Sequence, residues 1–177
     1  KNNGEEDLGV EYVSSFALLG IDKEGLLSTD EKLEVLIARN AWQKELIWNR
    51  FSMDQLGMSI SQPDKVRRSS QTISVGNTGN WSTKNYLPMG CLKNKETDSI
   101  LFWQIEQNGS WYWEISDQDG HMYLQLSGPT EHQSHWWKNL KPGDTFASVP
   151  VSVGSACGDV EEAAGELTKY RRAIRRK

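Results

Sequence analysis

Apolar and polar positions along this chain recur mostly at period two, the spacing of a half-buried β-strand. Ile100 to Ser127 shows it best. Ile-Leu-Phe-Trp-Gln-Ile-Glu is followed by Gln-Asn-Gly-Ser, then Trp-Tyr-Trp-Glu-Ile-Ser, then Asp-Gln-Asp-Gly, then His-Met-Tyr-Leu-Gln-Leu-Ser. Asn108-Gly109 and Asp119-Gly120 are turn pairs that tolerate positive φ. The pattern predicts a three-stranded antiparallel meander. Within Trp111-Tyr112-Trp113, alternation puts the two tryptophans on one face, read as core, and the tyrosine on the other.

Further strands are predicted over Tyr12–Leu18, Lys32–Ala38, Leu56–Ser61, Ser69–Val75, Tyr86–Leu92 and Thr145–Val153. Pro88 confines its strand to an edge or to the strand's first residues. Gly76–Asn80 reads as a turn, Pro63–Ser70 as a loop, and Lys1–Asp7 as a frayed end. Arg39–Met53 shows no clear period. From Asp159 the pattern changes. An N-cap aspartate, acidic residues in the first turn and basic ones in the last predict one helix, about Asp159 to Arg176. The fold class is therefore all-β, an antiparallel sandwich over 1–158 with one C-terminal linker helix over 159–177.

Composition fits that class. The 177 residues suffice for one domain with a real core, and 37% are hydrophobic. Eight tryptophans is a high share, as found in β-rich cores, interfaces and carbohydrate sites. A net charge of −4 gives no reason to expect nucleic acid or membrane as partner. Cys91 and Cys157 make no disulfide framework and read as free thiols in a reducing, cytoplasmic compartment.

Candidate chemistry is sparse. His132 and His135 beside Glu131 lack a third clustered ligand, so no metal is expected. Glu106, Glu114, Asp117 and Asp119 lie close together in the predicted meander, but nothing marks an activated carboxylate pair. No nucleophile elbow or phosphate loop is present. No catalytic residue and no cofactor is expected. A sugar platform needs an exposed ring beside hydrogen-bonding groups. Trp42 is the best candidate, among Arg39, Asn40, Gln43, Glu45 and Arg50.

Several of these stretches together resemble a known family. They are Asn80-Trp81-Ser82, Tyr86-Leu87-Pro88-Met89-Gly90, Trp103-Gln104-Ile105-Glu106 with Asn108-Gly109-Ser110-Trp111-x-Trp113-Glu114, and Leu124-Gln125-Leu126-Ser127-Gly128-Pro129. Trp136-Trp137-Lys138, Pro142-Gly143-Asp144-x-Phe146, Ser148-Val149-Pro150 and Glu166-Leu167-Thr168-x-Tyr170-Arg171-Arg172 follow in the same order. The set is similar to the N-terminal β-supersandwich domain of glycoside hydrolase family 36 α-galactosidases. The resemblance implies a galactose-mutarotase-like sandwich, here its C-terminal part, whose linker helix leads toward a (β/α)8 barrel. It implies hydrolysis of terminal α-galactosides, of the melibiose and raffinose type, with retention. The two catalytic aspartates would lie on the barrel, outside this chain, so the chain alone is expected to be inactive. It also implies packing against the barrel, a homo-oligomer for the full-length protein, and proximity of Trp42, in a Trp-x-x-Glu context, to the galactoside. The alternative reading is a free-standing carbohydrate-binding sandwich module.

Overall fold

A computed structural model describes residues 1–58, 71–118 and 120–175. The strands are β1 (Leu8–Val10), β2 (Ser14–Leu19), β3 (Leu33–Ala41), β4 (Lys44–Ser52), β5 (Ile73–Asn77), β6 (Tyr86–Asn94), β7 (Ser99–Ile105), β8 (Trp111–Gln118), β9 (His121–Ser127), β10 (Lys138–Leu140) and β11 (Val151–Cys157). The helices are α1 (Thr29–Lys32), α2 (Glu131–Ser134) and α3 (Val160–Ile174). A five-stranded sheet, β11-β7-β6-β3-β4, faces a four-stranded sheet, β2-β9-β8-β5. β1 and β10 form a separate pair, and every pairing is antiparallel. This is an all-β sandwich with a C-terminal helix, plus two four-residue helices that the sequence pattern does not predict.

Alternation builds the core. Trp111, Trp113 and Ile115 of β8 and Met122, Leu124 and Leu126 of β9 point inward, against Leu33, Val35, Leu92, Trp103 and Ile105 of the opposite sheet. Trp103 and Trp113 meet edge to face across the two layers, with centroids 5.2 Å apart and planes at 77°, a favourable aromatic geometry. All three of these tryptophans are buried, in keeping with the core reading.

The meander is corrected. β8 and β9 form a hairpin, with Gln118 paired to His121 and Gly120 at φ 77°. β7 belongs to the other sheet. Asn108-Gly109 therefore lies in a crossing between layers and makes no hairpin turn. Period-two alternation is the same whether two strands lie side by side or face each other across a core, so the pattern alone cannot separate the cases.

Other boundaries also move. Arg39–Met53 contains the end of β3 and all of β4; its period is blurred because Gln43 and Leu46 sit at φ 60° and 53° and the register shifts near Arg39. Pro88 lies near the start of an interior strand, at a register shift against β3, where a missing N–H costs no ladder bond. Asp54–Leu56 is a 3-10 turn rather than a strand, and the end of that predicted strand, from Ser59 onward, falls outside the described residues, as does Pro63–Ser70. β5 carries on through Gly76 and Asn77, and β11 begins only after Pro150. The N-terminal stretch is pinned rather than frayed. Asn2 is 5% exposed, its side-chain amide donates to the Glu6 and Leu140 carbonyls, and its N–H donates to the Asp144 carbonyl.

The helix α3 lies on the outer face of the five-stranded sheet. Ala163 and Leu167 cover Leu36, Cys91, Ile100 and Phe102. Asp159 caps it in a capping box with Glu162. Arg50 clamps that end, reaching Glu34 at 2.8 Å and Asp159 at 2.6 Å.

Candidate functional site at the β3–β4 tip

Trp42 and Gln43 form the two-residue turn between β3 and β4, closed by the Ala41–Lys44 pair. Gln43 takes the positive φ such a turn needs. Trp42 is 87% exposed, more than any other tryptophan among the described residues. An indole turned to water at a hairpin tip contributes nothing to the core, so its position suits contact with a ligand or partner.

The tip is held from below. The Asn40 N–H donates to the Asn85 carbonyl at 3.0 Å, and its side-chain amide donates to the Thr83 carbonyl at 2.6 Å. The Leu46 N–H donates to Asn40 Oδ1 at 3.4 Å. The Arg39 guanidinium sits 5.4 Å from the Tyr86 ring centroid. The Gln43 N–H donates to Glu45 Oε1 at 3.2 Å, so Trp42 and Glu45 share one turn. Beside the tip lies an open recess of about 410 Å³ lined by Arg39, Asn40, Ala41, Lys44, Ile47 and Tyr86. Trp42 and Glu45 lie outside the lining, and the Tyr86 ring, the Asn40 and Asn85 amides and the Arg39 and Lys44 cations line it. These are groups for binding a polar ligand.

Of the sequence candidates, Arg39 and Asn40 line the recess, and Gln43 and Glu45 bond to each other at the turn that carries Trp42. Arg50 does neither: it is bound to Glu34 and Asp159 on the α3 side. Tyr86, Asn85 and Thr83 escaped sequence reasoning, since only the β3–β6 pairing brings them under the tip.

The acidic residues of the predicted meander are also dispersed. The Glu106 carboxylate accepts from Ser152 at 2.5 Å and Tyr170 at 2.7 Å, next to α3. Glu114 lies on the outer face of the other sheet, where its carboxylate accepts from the Tyr112 and Tyr123 hydroxyls. Burial and then the Glu114 charge push Tyr12 up to about 12, and burial and the Glu114 hydrogen bond raise Tyr123. Both hydroxyls stay protonated near neutrality, and that of Tyr123 donates to Glu114 at 2.8 Å. Asp119 falls outside the described residues. His132 lies in α2, and His135 ends it at φ 52° with Nδ1 3.9 Å from Glu131; no cluster of three metal-ligating side chains occurs among the described residues. Cys91 is buried and Cys157 exposed, both as thiols. No helix among the described residues is long and apolar enough to cross a membrane.

No protein-family model and no curated protein matches the chain. Solved structures do. A variant of the GH36 α-galactosidase AgaA from Geobacillus stearothermophilus, in complex with raffinose, superposes over 89% of this chain with a TM-score of 0.67 at 15% identity. The galactosidase domain of the α-galactosidase-sucrose kinase AgaSK does so over 88%, with a TM-score of 0.64 at 18% identity. An α-galactosidase from Lactobacillus brevis matches over 89%, with a TM-score of 0.64 at 15% identity. The match takes up only 19%, 19% and 18% of those chains. At such identities the likeness establishes architecture: this chain has the fold of a segment making up less than a fifth of glycoside hydrolase family 36 α-galactosidases.

Proposed function

We propose that this chain is a non-catalytic sandwich domain of an α-galactosidase that hydrolyses terminal α-D-galactosides such as melibiose and raffinose with retention. Catalytic aspartates on a (β/α)8 barrel outside these residues would carry the chemistry. The observation behind the reading is the superposition over nearly the whole chain on several α-galactosidases, one of them holding raffinose. The ordered tryptophan-rich stretches support the same reading. In it, α3 is the connector toward the barrel, and the Trp42 tip lies at the substrate mouth, its indole against a galactoside ring with Asn40 and Glu45 supplying hydrogen bonds. On this same reading the parent enzyme is cytoplasmic and a homo-oligomer.

Two assays test this. The isolated chain, incubated with a chromogenic α-galactoside, shows no turnover; activity that survives purification and disappears on mutating Glu106 or Glu114 would sink the proposal. In the parent enzyme, Trp42→Ala raises KM for raffinose by about fivefold to about 150-fold, the loss of roughly 1–3 kcal/mol for a stacking ring. An unchanged KM removes Trp42 from the site. The alternative, a free-standing carbohydrate-binding module, is favoured by the same exposed ring. Calorimetric titration of the isolated chain with raffinose separates the two, because only a module produces binding heat.

A further inference from the structure

The β3–β4 hairpin is bulged just below its tip. Ala41 pairs with Lys44 but Arg39 pairs with Ile47, so β4 carries one extra residue between those pairs. Leu46, within that stretch, sits at φ 53°, a conformation strained for a leucine. The bulge has a geometric result. In a regular strand, residues three apart face opposite sides. Here Lys44 and Ile47 both line the recess beside the tip, together with Arg39. Bulges re-aim side chains in this way and recur beside functional sites.

Charge in the recess is unbalanced. Arg39 and Lys44 are the charged residues that line it, and both are cations. Among the described residues neither forms an ion pair. The other two cations of the five-stranded sheet are both paired, Arg50 with Glu34 and Asp159, and Lys93 with Asp98. Glu45 lies outside the lining and accepts from the Gln43 N–H. The Tyr86 ring steadies the Arg39 guanidinium. Two cations therefore stand together, held in place but not neutralised, in a chain of net charge −4.

We propose that this recess is an oxyanion subsite that takes a phosphate group, free or as the monoester of a sugar. Arg39 offers a planar fork of N–H donors to the phosphate oxygens, Lys44 a point charge, and the Asn85 side-chain amide a neutral donor. Two cations match the charge of about −1.5 to −2 that a phosphate monoester carries near neutrality. An uncharged sugar draws nothing from such a pair, and a carboxylate would use only one of them. The inference goes beyond the α-galactosidase reading, whose substrates melibiose and raffinose carry no charge, and it does not depend on that reading.

Calorimetric titration of the 177-residue chain at low ionic strength tests this, with inorganic phosphate, glucose 6-phosphate and glucose as probes. Both phosphates are expected to bind saturably at about 10 mM or below, and glucose not at all. Tighter binding of glucose 6-phosphate assigns the subsite to a sugar phosphate, and tighter binding of inorganic phosphate to the free ion. Added chloride weakens both. Lys44→Ala is expected to lower phosphate affinity by about tenfold to about 150-fold, the worth of hydrogen bonds to a charged group. Lys44 is exposed, so the fold is kept. Arg39→Ala has the same effect, and Lys44→Ala decides the matter alone should that variant not fold. Arg172→Ala removes an equal charge from the exposed side of α3 and leaves the affinity unchanged. Absence of saturable phosphate binding overturns the proposal. So does Lys44→Ala that binds like the wild type, or Arg172→Ala that weakens binding as much as Lys44→Ala does. None of these readouts bears on the KM test of Trp42, so either idea can fail without the other.

Discussion

At the residue scale, the most consequential positions are glycines that leave room for rings. A Cβ at Gly90 would lie 2.5 Å from the indole of Trp103, its cross-strand partner, and one at Gly154 would lie 2.5 Å from the Phe102 ring. Trp103 is fully buried and wedged against Trp113, so it has nowhere to go. Gly90→Ala is expected to destabilise the chain by about 1–3 kcal/mol, the usual cost of overpacking a dense core; equilibrium urea unfolding measures it, and an unchanged midpoint would refute the packing argument. The indoles also differ in polarity. The Trp111 N–H donates to the Ser82 carbonyl at 2.6 Å, whereas those of Trp103 and Trp113 find no acceptor. Trp111→Phe should therefore cost about 1 kcal/mol more than Trp113→Phe, for the lost hydrogen bond, in the same unfolding assay. That tryptophans 111 and 113 are core was legible from their spacing. That Trp42 stands in water was legible only from the lack of any period around it, and the partners beneath it were hidden because they come from a strand more than forty residues away.

At the element scale, α3 was the most legible feature, since cap, first-turn acids and last-turn bases all agree with the observed Val160–Ile174. What the sequence does not disclose is the clamp that seats it. Burial works against ionisation of Asp159, but the Arg50 hydrogen bonds and the Val160 N–H outweigh it and hold the carboxyl below its ordinary 3.8. Burial likewise opposes ionisation of Glu34, and Arg50 and Lys95 prevail. A carboxyl whose folded pKa is lowered contributes stability that is complete above its unfolded value and is lost as pH falls through the folded one. The α3 clamp is thus intact near neutrality and fails only below about pH 4. Trp48 packs in the same apolar cluster as Val160, and its fluorescence reports the release. In Arg50→Ala that acid step disappears. Exposed ion pairs are each worth roughly 0–1 kcal/mol, so this variant should loosen α3 without melting the sandwich. In a Cys157→Ser background, the Arg50→Ala change is expected to speed labelling of Cys91 several-fold; burial pushes that thiol up to about 12, and an unchanged rate would show that the clamp does not seat the helix.

At the scale of the whole molecule, class and strand content could be read from alternation, while the assignment of strands to layers could not. Alternation records which residues meet the core and is silent about the side from which they meet it. The crossing between β7 and β8 and the long-range pairing of β2 with β9 are set by which faces must be shared, and that is a property of the assembled sandwich. The β2–β9 pairing also governs how the chain reaches this state. Ser14 pairs with Ser127 and Leu19 with Tyr123, so the edge of β9 away from β8 cannot be closed by neighbours in sequence. Loop closure over that span must come before the contacts that reward it. Refolding followed by tryptophan fluorescence is expected in the slow, millisecond-to-second range typical of non-local β topologies. During synthesis, β2 leaves the ribosome as an apolar strand with its partner still unmade, and it must stay unpaired until more than a hundred further residues have emerged.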